Sequence, residues 1–529
     1  MKKIFSYLHK YYFPIGMIII LCAALLSRIL LLTSVPNFIH FDEAALGYNA
    51  WSLAHFGVDR YLNEMPVYPQ NYYGGQSPLY TYFVSLLILT IGHGNISLFI
   101  ERLPSVIFNM LGIIFCTKSI HLIFKNKNLT LACAFFAAFW PYLLMQSRLG
   151  FDCNLMYGCC TIAVYLTLKY VSTQKKSALC LCGIAFGIVM YTYALSYIFV
   201  PVCLCLFALY LLYVKKINIP KTILWAVCVC VTCLPILLFV ASLLFELEPF
   251  KFLFFHIYQA PSGRISELSL ERFWTKLFSS IWRPLTYDSY IVNSIPKFGT
   301  VYYTSIPFIA IGFFVSLYQS VVSIRKKSFH YSVLFFFYYM AGLFTMGFIN
   351  TEIHRTNFFY TAYIYFLILG IYSVYRFLQS YRRAFVIVLA GGYFLWTLSF
   401  LRYYFFLYEA DINSSVFFSF YRFAPPAEAV DFVENELNPD IFYIDADADE
   451  VFLFSYPISP YEWTDMQHED GSGFDHYKFK VDLLTSISTE SAYLILKENS
   501  EFIRLINNFE IPHETLEYEY FYLFYFTEQ

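Results

Sequence analysis

Charge is what this chain has least of. Only 14% of its 529 residues are Asp, Glu, Lys or Arg, while 59% are hydrophobic. Soluble domains carry about a quarter charged residues, so a soluble globular protein is excluded. Repeated apolar runs of roughly 20 residues point instead to a polytopic helical membrane protein. The formal net charge is −2, so nothing marks a nucleic-acid partner. Cysteine is missing beyond Cys233, all thirteen lying between Cys22 and Cys233, which excludes a disulfide-built exterior domain. Pairs such as Cys180/Cys182 and Cys228/Cys230 have the look of metal ligands, but i and i+2 do not share a helix face. They read as small buried apolar residues. Internal repeats and low-complexity linkers are also absent.

What is present is a succession of apolar runs punctuated by basic clusters. The start, Met1-Lys2-Lys3 with Lys10 and then Pro14 to Leu32, lacks a small-x-small cleavage site. It reads as an uncleaved first helix with a cytoplasmic N-terminus. Basic groups recur at Lys125/Lys127, Lys175/Lys176, Lys215/Lys216, Arg325/Lys326/Lys327 and Arg382/Arg383. Placing each in the cytoplasm gives eleven crossings, near 14–35, 103–124, 129–146, 155–171, 177–194, 196–214, 222–245, 301–323, 331–349, 358–375 and 384–406. Leu79 to Ile91 is too short to cross and reads as a re-entrant or interfacial helix. The expected fold is thus a polytopic α-helical membrane protein of about 11–13 transmembrane helices. Residues 1–406 form the membrane domain, with long outer loops 36–78 and 246–300. Residues 407–529 are acidic and carry no membrane run. They predict a small C-terminal α/β domain outside the cytoplasm, hinged at Pro425-Pro426. Within it, Glu428 to Glu436 and Glu501 to Asn508 read as helices. Ile441 to Ile444, Val451 to Tyr456, Tyr493 to Leu496 and Tyr518 to Phe526 read as strands.

This topology gathers the polar clusters on one face. Asp42-Glu43 follows the first run, and carboxylates at the edge of hydrocarbon need water, a partner or a substrate. Asp42 suits a general base; a loop acid or helix cap is the plainer alternative. Arg148 and Asp152 are i and i+4 apart, which fits a helix-surface ion pair or a second carboxylate facing the cavity of Asp42. In Glu352-x-His354-Arg355-x-Asn357, Arg355 offers a planar fork for phosphate and His354 a second donor; snorkelling to headgroups is the alternative. Arg264, in the outer loop His256 to Arg264, could fold over a lipid phosphate or be merely exposed. Arg102, Arg148 and Arg355 oppose the positive-inside rule, and an anionic ligand would account for them. Asp445 to Glu450 lacks the glycine and the terminal acid of a calcium loop and reads as a solvated acidic turn.

In order and spacing these residues resemble the GT-C class of polytopic glycosyltransferases, specifically the protein O-mannosyltransferase and aminoarabinose lipid A transferase family. The resemblance rests on Asp42-Glu43 after the first helix, Tyr48, and the Gly57-x-Asp59 turn. It continues with Ser77-Pro78-Leu79-Tyr80-x-Tyr82, Arg102-Leu103-Pro104-Ser105, and Ser147-Arg148 with Asp152. It implies a polyprenyl-phosphate-linked sugar donor, a glycan, lipid or protein acceptor, and catalysis on the extracytoplasmic side of the cell membrane. Asp42 would be the base, Glu43 its orienting neighbour and Asp152 a second active-site carboxylate. Arg102, Arg148, Arg264, His354 and Arg355 would be candidates for the donor phosphate. A divalent cation, if the reaction uses one, would fall to Asp42 and Asp152. The competing classes are a transporter or flippase, which would show repeats and midplane ionisable groups, and a polymerase or ligase of lipid-linked saccharides, which would lack the early Asp-Glu pair.

Overall fold

The computed structural model describes residues 2–71, 74–258, 268–286, 294–295, 297–407, 421–445, 449–468, 472–479, 481, 486–509 and 511–526, with the side chains of 2–10 and 421–422 set aside. It is mostly helical. The membrane part begins with α1 (Lys2–Ile29), which leads through the short strand β1 (Ile39–His40) into α2 (Phe41–Phe56). Then come α3 (Pro78–Thr90), α4 (Leu98–Phe124), α5 (Lys127–Phe139), α6 (Pro141–Gln146), α7 (Leu155–Thr173), α8 (Lys176–Val189) and α9 (Ser196–Tyr213). The series closes with α10 (Ile219–Thr232), α11 (Leu234–Phe245), α12 (Phe273–Trp282), α13 (Ile306–Arg325), α14 (Tyr331–Met346), α15 (Phe359–Phe377) and α16 (Arg382–Phe406). One large apolar core runs through these helices.

Among the described residues six helices are long and apolar enough to cross a membrane, or seven with the bent pair α10–α11. Several of the eleven runs counted in the sequence are broken helices. The run 14–35 stops being helical at Ile29. The run 129–146 breaks at Trp140, which is extended, because Pro141 restricts the residue before it. The run 222–245 bends by 74° where Cys233 precedes Leu234-Pro235. Leu79 to Ile91 does form a separate short helix, α3, started by Pro78 at its first position.

The C-terminal region forms a six-stranded mixed sheet of order β6-β7-β5-β8-β10-β9. Its strands are β5 (Ile441–Ile444), β6 (Gly473–Phe474), β7 (Tyr477–Lys478), β8 (Ser491–Leu496), β9 (Glu514–Glu517) and β10 (Phe521–Tyr525). Helices Ala427–Phe432 and Ser500–Asn507 accompany it. Val451 to Tyr456, expected as a strand, is mostly the helix Asp449–Ser455. Its residues Val451 to Phe454 are all apolar and all buried, so no alternation distinguishes the two states.

This region docks on the first loop. β1 pairs antiparallel with β4 (Tyr421–Arg422). The helix Asp449–Ser455 lies against α2 so closely that a Cβ at Gly47 would sit 2.6 Å from the Phe454 ring. Arg60 is fully buried, 3.4 Å from Glu450 and 3.8 Å from Asp449, with its guanidinium 4.9 Å from the centre of Trp463. Asp449 and Glu450 therefore do not form a solvated turn; both are buried against Arg60. Burial pushes the Glu450 carboxyl up to about 8, against the pull of Arg60. Residues 446–448 of that acidic run lie outside the described residues.

Candidate active site

The site is built where α2 starts. His40 is the N-cap, extended at φ −82° and ψ 144°, and its Nδ1 accepts the Asp42 N–H at 3.0 Å. Glu43 reaches back to accept the His40 N–H at 3.1 Å, which closes a capping box. Burial lowers the His40 imidazole to about 4. The ring is therefore neutral, as an Nδ1 that accepts an N–H must be, and its 3.7 Å approach to the Asp42 carboxylate is not an ion pair.

The capping box separates two adjacent carboxylates. The Asp42 side chain is 41% exposed, whereas Glu43 is fully buried. Glu43 Oε1 lies 3.1 Å from Arg102 Nε, and its Oε2 lies 3.3 Å from Nη2. It also accepts the Gly150 N–H. The remaining Arg102 donors go to the carbonyls of Leu32, Pro36 and Phe38 at 2.7–2.9 Å. Every Arg102 nitrogen is thus engaged, and the residue clamps the chain between α1 and α2. Arg148 acts in the same way one turn away. It is fully buried and donates to the carbonyls of Ser27, Arg28, Leu31 and Val35 at 2.6–3.0 Å, capping the end of α1. The Phe405 ring packs on its guanidinium at 5.0 Å. No bond joins it to Asp152.

Asp152 accepts the Ser77 N–H at 3.0 Å. The preceding residue, Gln76, donates its side-chain amide to the Asp42 carbonyl at 3.0 Å. Two consecutive residues just before α3 therefore tie the Asp42 backbone to Asp152. This segment leaves a tight turn at Gly75, where φ is +132° and a Cβ would lie 2.6 Å from the Tyr68 ring, so only glycine fits. Gln76 Oε1 and Ser77 Oγ are buried and have no hydrogen-bond partner among the described residues. The ring of Phe151 meets His40 edge-on at 5.0 Å, which closes the other side.

The loop after α14 arrives beside Asp152. Asn357 donates to the Cys153 carbonyl at 2.9 Å and to Asn154 Oδ1 at 3.2 Å, and accepts from the Tyr142 hydroxyl at 2.6 Å. On this loop Glu352 lies 3.4 Å from His354 and 3.6 Å from Arg355. Both side chains are partly exposed. Next to the loop, an apolar groove of about 220 Å³ runs between Tyr68, Tyr193, Leu195, Phe239, Leu243 and Ile349. Arg264 lies outside the described residues. Among the described residues no three His, Cys, Asp or Glu side chains gather as metal ligands.

Two features were not anticipated from the sequence. Asp59 is a buried staple for the first loop, accepting from the backbone of Tyr61, Asn63 and Gln70 and from the Asn63 side chain at 2.9–3.1 Å. Glu101 is fully buried beside Glu43, and neither of its oxygens has a hydrogen-bond partner among the described residues. A carboxyl next to an arginine at a helix start was visible in Glu101-Arg102, but its pairing partner was not.

Residues 75–239 match the model of the dolichyl-phosphate-mannose-protein mannosyltransferase family. No curated protein matches the chain in sequence. Among solved structures, ArnT from Cupriavidus metallidurans bound to undecaprenyl phosphate superposes with a TM-score of 0.51 at 11% identity, covering 96% of this chain and 97% of that one. The oligosaccharyltransferase of Archaeoglobus fulgidus, in complex with Zn and sulfate, gives a TM-score of 0.52 at 14% identity over 83% of this chain. The chain spans 61% of the length of that archaeal protein. The fold is that of the GT-C glycosyltransferases.

Proposed function

We propose that this GT-C-fold chain is an integral-membrane glycosyltransferase that moves a sugar from a polyprenyl-phosphate-linked donor to an extracytoplasmic acceptor. The observation that carries the reading is the convergence of Asp42, Asp152 and the Glu352–Asn357 loop. Asp42 and Asp152 are tied through Gln76 and Ser77, and the loop is tied to Cys153 through Asn357. The solved ArnT structure holds undecaprenyl phosphate, which supports the donor class.

In this reading Asp42, the exposed carboxylate, takes the proton of the acceptor nucleophile. The nucleophile attacks the anomeric carbon, the bond to the phosphate oxygen breaks, and polyprenyl phosphate leaves. Arg355 and His354 neutralise the leaving phosphate, Arg through its planar fork of donors. Arg264 remains a further candidate for that role. Asp152 holds Ser77 at the start of α3. The unpartnered Gln76 Oε1 and Ser77 Oγ supply polar atoms for sugar or acceptor hydroxyls, since a buried polar atom without a partner is costly. The apolar groove at Tyr68 and Phe239 accepts the first isoprenoid units. Glu43, Arg102 and Arg148 are scaffold rather than ligands, because their bonding capacity goes to one another and to backbone.

The test is incubation of purified protein with a panel of polyprenyl-phosphate sugars, reading release of polyprenyl phosphate. Release from one member, lost in Asp42→Asn, supports the reading; no release from any member with any acceptor fraction refutes it.

A further inference from the structure

A second surface lies on the far side of the Glu352–Asn357 loop. Helix α12 carries Trp274, Phe278 and Trp282 at four-residue spacing, and Leu270 lies in the segment just before it. The three aromatic residues share one face of the helix. All four are exposed, at 73% for Leu270, 68% for Trp274, 59% for Phe278 and 63% for Trp282. An uncovered aromatic stripe of this kind marks a contact with another phase or partner.

The opposite face of α12 is fixed to the protein. The Phe273 ring packs against Phe344 and Phe348 at the end of α14, at 5.9 and 5.2 Å. Ser280 is buried, and its hydroxyl meets Thr351 Oγ1 at 2.6 Å; Ser279 meets the same atom at 2.9 Å. Arg283, just past the helix, donates to the Thr351 carbonyl. Thr351 directly precedes Glu352, His354 and Arg355.

What covers the stripe follows from its neighbours. An apolar groove of about 400 Å³ runs between α12 and the first turns of α13, lined by Leu277, Ile281, Ile306, Ile309 and Phe313. Phe314 of α13 also lines it, and Phe314 and Tyr318 are exposed at 64% and 70% on a helix long and apolar enough to cross the bilayer. The α12 stripe thus extends the bilayer-facing surface of α13. Trp at the edge of such a surface suits the headgroup boundary.

We propose that α12 lies in the membrane leaflet beside the site, its stripe among lipid acyl chains, and through Thr351 holds the His354–Arg355 loop at the depth of lipid phosphates. The consequence for donor binding rests on the glycosyltransferase reading; the bilayer contact does not, so the two are measured separately. In the first experiment the full chain is placed in nanodiscs of phosphatidylcholine brominated on the acyl chain near the headgroup. The wild-type tryptophan emission is expected to contain a lipid-quenched part that is lost in Trp274→Phe/Trp282→Phe. Equal quenching of wild type and variant, or quenching of this part by aqueous iodide, overturns the contact.

In the second, Trp274→Ser/Phe278→Ser/Trp282→Ser is assayed in bilayers with a long-chain polyprenyl-phosphate sugar. KM should rise on the order of tenfold with kcat unchanged, the mark of lost binding rather than lost chemistry. A short-chain donor in detergent should show no difference between wild type and variant. An unchanged KM in bilayers overturns the positioning role. Lipid quenching in a protein that transfers no sugar upholds the bilayer contact and sinks the glycosyltransferase reading alone.

Discussion

Replacing Glu43 by alanine deprives four donors of their acceptor at once: the His40 N–H, the Gly150 N–H, and the Nε and Nη2 of Arg102. Arg102 would stay fully buried with its counter-charge gone. Removing one member of a buried ion pair costs about 3–5 kcal/mol, since the remaining charge is left without compensation. The capping box adds about 1 kcal/mol, although such terms do not sum cleanly. The three carbonyls that still hold Arg102 belong to the chain between α1 and α2, so the damage should spread along the first loop. Arg60 reports it, because it is fully buried in the native protein. Glu43→Ala should lower the thermal midpoint in detergent and expose Arg60 to trypsin. Asp42→Asn, one residue away but partly exposed, should do neither. A Glu43→Ala protein with the wild-type midpoint and no cut at Arg60 would refute the clamp.

Three further outcomes are expected. Arg148→Leu strips the carbonyls of Ser27, Arg28, Leu31 and Val35 of their donor; a loss of about 3 kcal/mol or more should appear as poor yield and a lowered midpoint, with Arg148→Lys only partly restoring both. Arg355→Ala should raise the KM for the lipid-phosphate donor on the order of tenfold while the midpoint stays put, read by polyprenyl phosphate release. The docking of the C-terminal region should weaken with pH. Because the Glu450 carboxyl is raised from its ordinary 4.5 to about 8, the docked state holds the proton more tightly. Its contribution is complete below the ordinary value and is lost as pH rises through about 8. Emission of Trp463, which sits on Arg60, should follow that window, and Glu450→Gln should abolish the pH dependence.

Much of this arrangement was legible in the sequence, and the misses have physical reasons. Apolar runs revealed the membrane part, and Pro78 with the short run after it revealed α3. Run length could not reveal where helices break, because apolar residues continue through Trp140-Pro141 and Cys233-Leu234-Pro235. The pair Asp42-Glu43 stood out, but its division into an exposed and a buried carboxylate depends on His40 as N-cap, an unusual residue for that position. The three outward arginines suggested an anion. Two of them instead satisfy backbone carbonyls, Arg148 at the end of α1 and Arg102 in the chain between α1 and α2, a demand set by where α1 stops. The Arg148–Asp152 spacing suggested an ion pair, but the helix already ends at Gln146, before Arg148, and Asp152 turns to Ser77. Arg60 gave no signal, since its partners Asp449 and Glu450 lie nearly four hundred residues away.

The central claim is that Asp42 takes the proton from the acceptor. It is tested most directly by the rate of polyprenyl phosphate release from the active donor, comparing wild type with Asp42→Asn at equal thermal midpoints. A fall of at least about a hundredfold, the scale of a lost general base, is the predicted result. A rate within twofold of wild type would contradict it.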